Sequence, residues 1–183
     1  RLRRDHLNVS QGQRRQMSRR NFRSGIERRK TVGLADDQVM GLAVDGDGNV
    51  WAGTSGGVSA FDGASWTTYT TADGLGANDV RCVTVDADGH PWFATQGGGV
   101  STFDGTTWTT YTESDGLASN YVQSCGFDAG GHLWCATNTA GVSEFDGSEW
   151  TTHRTDDTLI DNRILAIAHE EDGGTWVGTG RAR

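Results

Sequence analysis

The 183-residue chain lacks several features that would identify its class at once. It has no run of about eighteen apolar residues and no hydrophobic signal core, so the sequence predicts neither a membrane-spanning helix nor an export signal. It does not begin with methionine. From these absences we expect the chain to be a piece of a longer protein.

Cysteine is scarce, with three residues in the whole chain, which is too few for the disulfide framework of a small secreted domain. All three, Cys82, Cys125 and Cys135, fall at positions that read as strand interior. We expect them to be small buried hydrophobic side chains. The alternative is a disulfide between Cys125 and Cys135, which flank one turn symmetrically. Metal-binding spacing is absent, and we expect no metal.

Positive charge is almost confined to one end of the chain. Residues 1–30 hold eleven basic residues and two acids, whereas residues 31–183 hold five basic residues and twenty-two acids. The basic segment has few apolar residues and no periodicity, which predicts a disordered, solvated tail. Binding to nucleic acid, to an anionic membrane or to the acidic remainder of the chain is the alternative. We expect no nucleic-acid partner.

What the chain does have is a repeat. Tryptophans recur at spacings of 41, 42 and 42 residues: Trp51, Trp92, Trp134 and Trp176. An acid stands six residues before each one, and a threonine stands three residues after it. A second tryptophan closes the first three units, at Trp66, Trp108 and Trp150. A period of this length indicates one small structural unit built several times.

Each unit predicts four short β-strands. The runs are four to seven residues long, rich in Val, Thr, Phe and Trp, and separated by Asp-Gly or Gly-Gly turns, and no sustained helical period is present. We therefore predict an all-β fold of propeller type, with about three and a half four-stranded blades. The blades span about 33–73, 74–115 and 116–157, with a partial blade at 158–183. A ring needs about four to eight blades, so we expect a partial propeller, which more chain or a second copy would complete.

The repeated motifs resemble the two-component regulator propeller repeat. They are Asn-x-Val (Asn78 to Val80), Asp-x-x-Gly (Asp86 to Gly89), Trp-x-Gly-Thr (Trp51 to Thr54), a glycine turn, and Val-Ser-x-Phe-Asp-Gly (Val100 to Gly105). The resemblance covers residues 31–183, although the fourth unit departs from it at Thr158 and Glu170. It implies a tandem of blades from the periplasmic sensor region of a bacterial histidine kinase or a related secreted protein. Sensors of this family are associated with polysaccharide breakdown products.

No catalytic constellation is predicted. Asp45 to Asn49 looks like the opening of a calcium loop, but Val50 and Gly56 stand where that loop needs glycine and glutamate, so a hairpin turn is favoured. A serine recurs at Ser59, Ser101 and Ser143 without a recurring histidine that could serve as its base. The Gly-rich turns carry no lysine and open no helix, which argues against a phosphate loop. We expect no catalytic residue and no cofactor.

Two sets of loops are predicted to gather on one face of the propeller. One set precedes the first strand of each blade, and the other joins the second and third strands. Asparagine recurs at Asn78, Asn120 and Asn162, which favours a structural role in the turn, whereas the residue after it varies. Loop positions that do not repeat from blade to blade are not required for packing, so their side chains can determine which ligand is bound. The predicted ligand-binding residues are Gln38, Asp79, Tyr121, Arg163, Ser55, Gln96 and Asn138.

The missing catalytic residues favour a non-catalytic binding module, and the family resemblance implies a sensor located in the periplasm or outside the cell whose ligand is a carbohydrate or another small molecule. A structural or protein-interaction scaffold is the alternative, and a propeller lyase or hydrolase is less favoured. A full-length parent protein could carry a histidine-kinase region. The recurring tryptophans are interpreted as packing between blades rather than as sugar-stacking residues.

Overall fold

The computed structural model describes residues 33–155, 159–170 and 173–180. The predicted basic segment at 1–30 and the departure at Thr158 lie outside these residues. The described part contains fourteen β-strands and one turn of 3₁₀ helix, η1 at Glu113–Asp115. The first blade is formed by β1 (Val39–Val44), β2 (Val50–Thr54), β3 (Gly57–Phe61) and β4 (Trp66–Tyr69).

The other blades follow the same order along the chain. The strands of blade 2 are β5 (Val80–Val85), β6 (Pro91–Thr95), β7 (Val100–Phe103) and β8 (Trp108–Tyr111). Those of blade 3 are β9 (Val122–Phe127), β10 (Leu133–Thr137), β11 (Val142–Phe145) and β12 (Trp150–His153). The described part of blade 4 holds β13 (Ile164–His169) and β14 (Thr175–Thr179).

Each blade is an antiparallel meander in which neighbouring strands pair in sequence order. Blades 1 to 3 are four-stranded, and the described part of blade 4 is a two-stranded sheet. The blades stack through their first strands, with β1 on β5, β5 on β9 and β9 on β13. We call these four the inner strands. The described stack is not a closed ring, and the prediction of an all-β partial propeller is confirmed.

Hydrophobic side chains fill the space between neighbouring blades. Between blades 1 and 2, the ring of Trp51 stacks on Tyr69 of its own blade, with centroids 6.0 Å apart. It also meets the edge of Phe93 in blade 2 at 5.7 Å. Trp92 lies in the same way between blades 2 and 3, stacked on Tyr111 and against Phe145. Trp51 and Trp92 therefore pack one blade against the next, as the sequence predicted.

The acid that recurs six residues before each tryptophan binds its indole. Asp45 accepts a hydrogen bond from Nε1 of Trp51 at 2.9 Å, and it also accepts the backbone N–H of Asp47 and Asn49. Burial works to raise the pKa of Asp45, but these hydrogen bonds outweigh it and lower the pKa. The same carboxylate-to-indole bond joins the pairs Asp86 and Trp92, Asp128 and Trp134, and Glu170 and Trp176.

Other recurring polar residues fix turns and connections. Asp62 accepts the backbone N–H of Ala64 and Ser65, which closes the Asp-Gly turn between β3 and β4. Oγ of Ser101 accepts the N–H of Gly76 at 2.9 Å, which fastens the segment leading into blade 2. Equivalent serine bonds form at Ser59 and Ser143. The recurring serines thus have a structural role in these blades.

The recurring asparagines also act on the backbone. Oδ1 of Asn78, Asn120 and Asn162 accepts a backbone N–H seven residues earlier in the chain, from Thr71, Glu113 and Thr155. Each bond closes the connection between one blade and the inner strand of the next. The structural turn role predicted from their recurrence is confirmed.

Candidate ligand-binding face

The two predicted sets of loops meet at the same end of each blade. A backbone N–H in the loop after the second strand donates to the carbonyl of the residue just before the inner strand. The four pairs are Ser55 to Gln38 at 3.2 Å, Gln96 to Asp79 at 2.8 Å, Asn138 to Tyr121 at 3.1 Å and Gly180 to Arg163 at 2.8 Å. We call this end of the stack the loop face. All seven predicted ligand-binding residues lie on it.

The loop face is continuous between blades 2 and 3. The N–H groups of Gly97 and Gly99 both donate to the carbonyl of Asn120, each at 3.0 Å. Gln96 pairs with Tyr121 in an isolated antiparallel bridge. The Tyr121 ring lies beside Gly97, 3.5 Å from the position that a Cβ on this glycine would occupy. Tyr121 remains 51% exposed and presents an aromatic surface to solvent.

The structure thus brings two predicted residues, Gln96 and Tyr121, into direct contact across a blade boundary. The other five stand within their own blades: Gln38 and Ser55 in blade 1, Asp79 in blade 2, Asn138 in blade 3 and Arg163 in blade 4. Blades 3 and 4 are joined at this face by a backbone bond from Gly141 to Asn162 at 2.9 Å.

Asp79 forms an ion pair on the loop face. Its Oδ2 accepts a hydrogen bond from Arg81 at 2.7 Å. Oδ1 of Asp79 and Nε of Arg81 are buried and make no hydrogen bond. Buried polar atoms normally have partners, so this pair keeps unused donor and acceptor capacity beside the loop.

Each inner strand carries a β-bulge at its second residue, which the sequence reasoning missed. The pairing of β5 with β6 skips Arg81, and the equivalent residues of the other inner strands are skipped in the same way: Met40, Gln123 and Leu165. Bulges re-aim a side chain and are frequent beside functional sites. The amide of Gln123 donates to Oε1 of Gln96 at 2.9 Å, which ties a bulge residue to the loop face.

A signal for these four residues exists in the sequence. Each one follows the recurring valine or isoleucine that begins the inner strand, and the four positions carry two apolar side chains, one guanidinium group and one amide. The loop face therefore combines amides, a carboxylate, two guanidinium groups and one exposed phenol. This set suits hydrogen bonding to a polar ligand and stacking of a ring on Tyr121.

The turns at the opposite end of the blades are occupied by their own bonds. The carboxylate of Asp45 accepts hydrogen bonds from backbone groups and from the indole of Trp51, and residues 45–49 form the predicted hairpin turn between β1 and β2. Across residues 33–155, 159–170 and 173–180, no group of three or more His, Cys, Asp or Glu side chains is arranged to hold a metal ion.

Two clefts lie away from the contact between Gln96 and Tyr121. One, of about 310 Å³, opens between the turns of blades 1 and 2 beside Trp51, His90 and Asp104. The other, of about 410 Å³, runs along the edge strand β14 and is lined by Trp134, Leu159 and Trp176.

Within the part of the chain that the structure describes, no helix has the length and hydropathy needed to cross a bilayer.

Comparison with known proteins adds a family and a fold. Residues 33–56 match a family described as two component regulator propeller. Among solved structures, the extracellular domain of a hybrid two-component system of B. thetaiotaomicron, BT3049, is 25% identical and superposes with a TM-score of 0.68. The similarity covers 76% of this chain and 20% of that one. No curated protein sequence matches the chain.

Two further structures share the fold. The extracellular domain of BT4673 from the same organism is 21% identical over 80% of this chain and 22% of its own, with a TM-score of 0.68. A virginiamycin B lyase from Staphylococcus aureus is 16% identical over 76% of this chain and 48% of its own, with a TM-score of 0.60. The chain spans about a fifth of the length of the two-component domains. The resemblance seen in the sequence is confirmed by the family match over residues 33–56 and by the fold shared with the extracellular domains of two-component systems.

Proposed function

We propose that this chain is a non-catalytic binding module, the propeller part of an extracytoplasmic signal-transduction protein, and that it binds a small polar ligand at the loop face. One observation carries the proposal. The positions that pack or close turns repeat from blade to blade, whereas Gln38, Asp79, Tyr121 and Arg163 occupy equivalent positions with different chemistry. A surface that varies within a strict repeat is suited to recognising one asymmetric ligand.

The similarity to the extracellular domain of BT3049 supports the compartment and the signalling role. A carbohydrate is the ligand class that the family resemblance implies. The chemistry of the loop face agrees with it, because amide and carboxylate groups bind hydroxyls and the exposed ring of Tyr121 offers a stacking surface. The centre of the proposed site is the contact between Gln96, Tyr121 and Gln123.

Titration calorimetry of the full chain with neutral and uronic-acid oligosaccharides tests the proposal. We expect Tyr121→Ala to weaken binding of an active oligosaccharide about tenfold or more, because it removes the aromatic surface. Thr151→Ala is the matched control, since Thr151 is exposed on the outer strand β12, and it should leave the affinity unchanged. Equal loss in both variants, or no binding by any oligosaccharide, would contradict the proposal.

A structural or protein-interaction scaffold is the second candidate, and the ends of the stack favour it. Leu42 and Val44 of blade 1 are 66% and 62% exposed, and Trp176 of blade 4 is 66% exposed. Large apolar side chains exposed on the outer faces of the first and last blades are suited to contact with a further blade or a second copy. Light scattering with small-angle X-ray scattering separates the two cases, because a compact dimer supports the second copy and a monomer supports further blades.

Catalysis is tested separately. The lyase from S. aureus shares the fold alone at 16% identity, and similar folds host unrelated activities. A lyase and hydrolase assay on the same oligosaccharides checks this point, and robust turnover would replace the binding proposal with an enzymatic one.

A further inference from the structure

Two cysteines from different blades face each other inside the stack. Cys82 lies on the inner strand β5 and Cys125 on the inner strand β9, 43 residues later. The Cys82 thiol lies 3.2 Å from the carbonyl oxygen of Cys125, and Cys82 packs against the hydrophobic cluster that contains Cys125. All three cysteines of the chain are free thiols in this structure.

The surroundings of the two thiols differ. Cys125 is buried in the hydrophobic cluster between blades 2 and 3, together with Trp92 and Leu133, whereas Cys82 is only partly buried. The hydrogen bond from Cys125 lowers the pKa of Cys82 to about 7, while that bond and burial raise the pKa of Cys125. The thiolate is the reactive form of cysteine, so Cys82 is the nucleophile of the pair.

We propose that Cys82 and Cys125 are a redox-modification site that closes into a disulfide joining the inner strands of blades 2 and 3. The position of the Cys82 thiol against Cys125 across the blade boundary carries this proposal. A disulfide there would add a covalent link to the packing and the loop-face hydrogen bonds that hold blades 2 and 3 together. It is independent of the ligand proposed for the loop face, although an extracytoplasmic location would supply oxidising conditions.

The reaction requires a disulfide oxidant, for which oxidised glutathione serves. The Cys82 thiolate attacks one sulfur of the oxidant, the glutathione S–S bond breaks, and the leaving thiolate takes up a proton. Cys125 then loses its proton and attacks the sulfur of Cys82, expelling the second glutathione. Two protein thiols are oxidised to one disulfide, and one glutathione disulfide is reduced to two thiols.

Cys135 is the internal competitor. It pairs directly opposite Cys125 across the hairpin of β9 and β10 and is buried. This confirms the predicted burial of Cys125 and Cys135 and their facing geometry, whereas the predicted burial of Cys82 was wrong because Cys82 is only partly buried. Desolvation raises the pKa of Cys135 well above its usual range, which keeps it protonated and unreactive. The link is therefore expected at Cys82, not at Cys135.

Peptide mapping of the full chain tests the proposal. The protein is incubated with oxidised glutathione at pH 7.5, quenched in acid, alkylated without reduction and digested for mass spectrometry. We expect a cross-linked peptide pair containing Cys82 and Cys125, with Cys135 alkylated. A link between Cys125 and Cys135, or three alkylated cysteines after prolonged oxidation, would overturn the proposal.

Variants and kinetics guard against a folding defect. Cys135→Ala should keep the link, and Cys82→Ser should abolish it, with circular dichroism confirming that both variants fold. In the reduced native protein, iodoacetamide should modify Cys82 at least about tenfold faster than the other two cysteines, because only Cys82 combines exposure with a lowered pKa. In denaturant the three rates should converge. Equal rates in the native protein would also contradict the proposal.

Discussion

Trp92 and Trp176 hold equivalent positions in the repeat and make the same local hydrogen bond, yet their surroundings differ. Each indole donates to an acid six residues earlier, at 2.9 Å and 2.7 Å. Trp92 is 8% exposed because blade 3 covers it, whereas Trp176 is 66% exposed because no described blade follows blade 4. The comparison shows that the sequence of one blade determines its own turns and hydrogen bonds, whereas the tryptophan becomes buried only when the next blade packs against it.

Substitution of the two tryptophans should give the largest contrast. Trp92→Ala removes a ring packed against Tyr111 and Phe145, and we expect it to lower the free energy of unfolding by about 3–5 kcal/mol. Trp176→Ala should cost below about 1 kcal/mol, because little buried area is lost. Urea denaturation of the full chain measures both. Similar losses would mean that the local bond, not the neighbouring blade, stabilises this position.

Two glycines at equivalent positions, Gly53 and Gly178, test the same difference between a blade that is covered by its neighbour and one that is not, because a methyl group can be added at each. A Cβ on Gly53 would stand 2.6 Å from Val80 and 2.8 Å from Val83 in the next blade, whereas on Gly178 the nearest atom is 3.6 Å away. We expect Gly53→Ala to destabilise the protein by about 1–3 kcal/mol through overpacking. Gly178→Ala should be neutral or slightly stabilising, since alanine restricts the unfolded chain. Thermal unfolding of the two variants distinguishes the cases, and a destabilised Gly178→Ala would contradict the comparison.

The smallest effects are expected where the interaction is local in every blade. Backbone and side-chain hydrogen bonds from Ser148 and Glu149 lower the pKa of Asp146 from 3.8 to about 2, and similar bonds lower the pKa of Asp62. A carboxylate whose pKa is lowered by folding stabilises the fold when the pH is above its ordinary pKa. That stabilisation is lost as the pH falls from about 3.8 towards 2. Asp146→Asn and Asp62→Asn should therefore weaken the protein slightly and equally at pH 7.

Urea midpoints measured between pH 7 and pH 2 check this expectation. The difference between each variant and the parent chain should shrink as the pH falls through that window. A much larger effect in blade 3 than in blade 1 would show that these turns depend on neighbouring blades after all.

The repeat allowed much of the fold to be predicted from sequence. Strand positions and turns followed from residue types that recur at fixed spacing, because each copy satisfies the same local geometry. The partner of the recurring acid could not be predicted, since Asp86 and Trp92 meet only after the hairpin folds. The sequence predicted that the two sets of loops lie at one end of the blades. In blade 2, the backbone hydrogen bond from Gln96 to Asp79 holds these loops together. Ligand binding at that face stays a prediction.

Two features were hidden from the sequence for physical reasons. Each inner strand has its bulge at the same position, as at Arg81 and Gln123, so the copies align without a gap that would reveal an extra residue in the pairing. The contact between Cys82 and Cys125 joins positions that are not equivalent in the repeat. Sequence spacing pointed to Cys135 as the neighbour of Cys125, and the proximity of Cys82 follows only from the stacking of β5 on β9.

Hydrogen exchange of the full chain tests most directly the claim that each blade depends on its neighbours. Amides of β6 and β10, which lie in blades packed on both sides, should be the best protected. Those of β14, at the end of the described stack, should exchange at least about tenfold faster than those of β10, which corresponds to ~1.4 kcal/mol less protection. Equal protection of β10 and β14 would contradict the account.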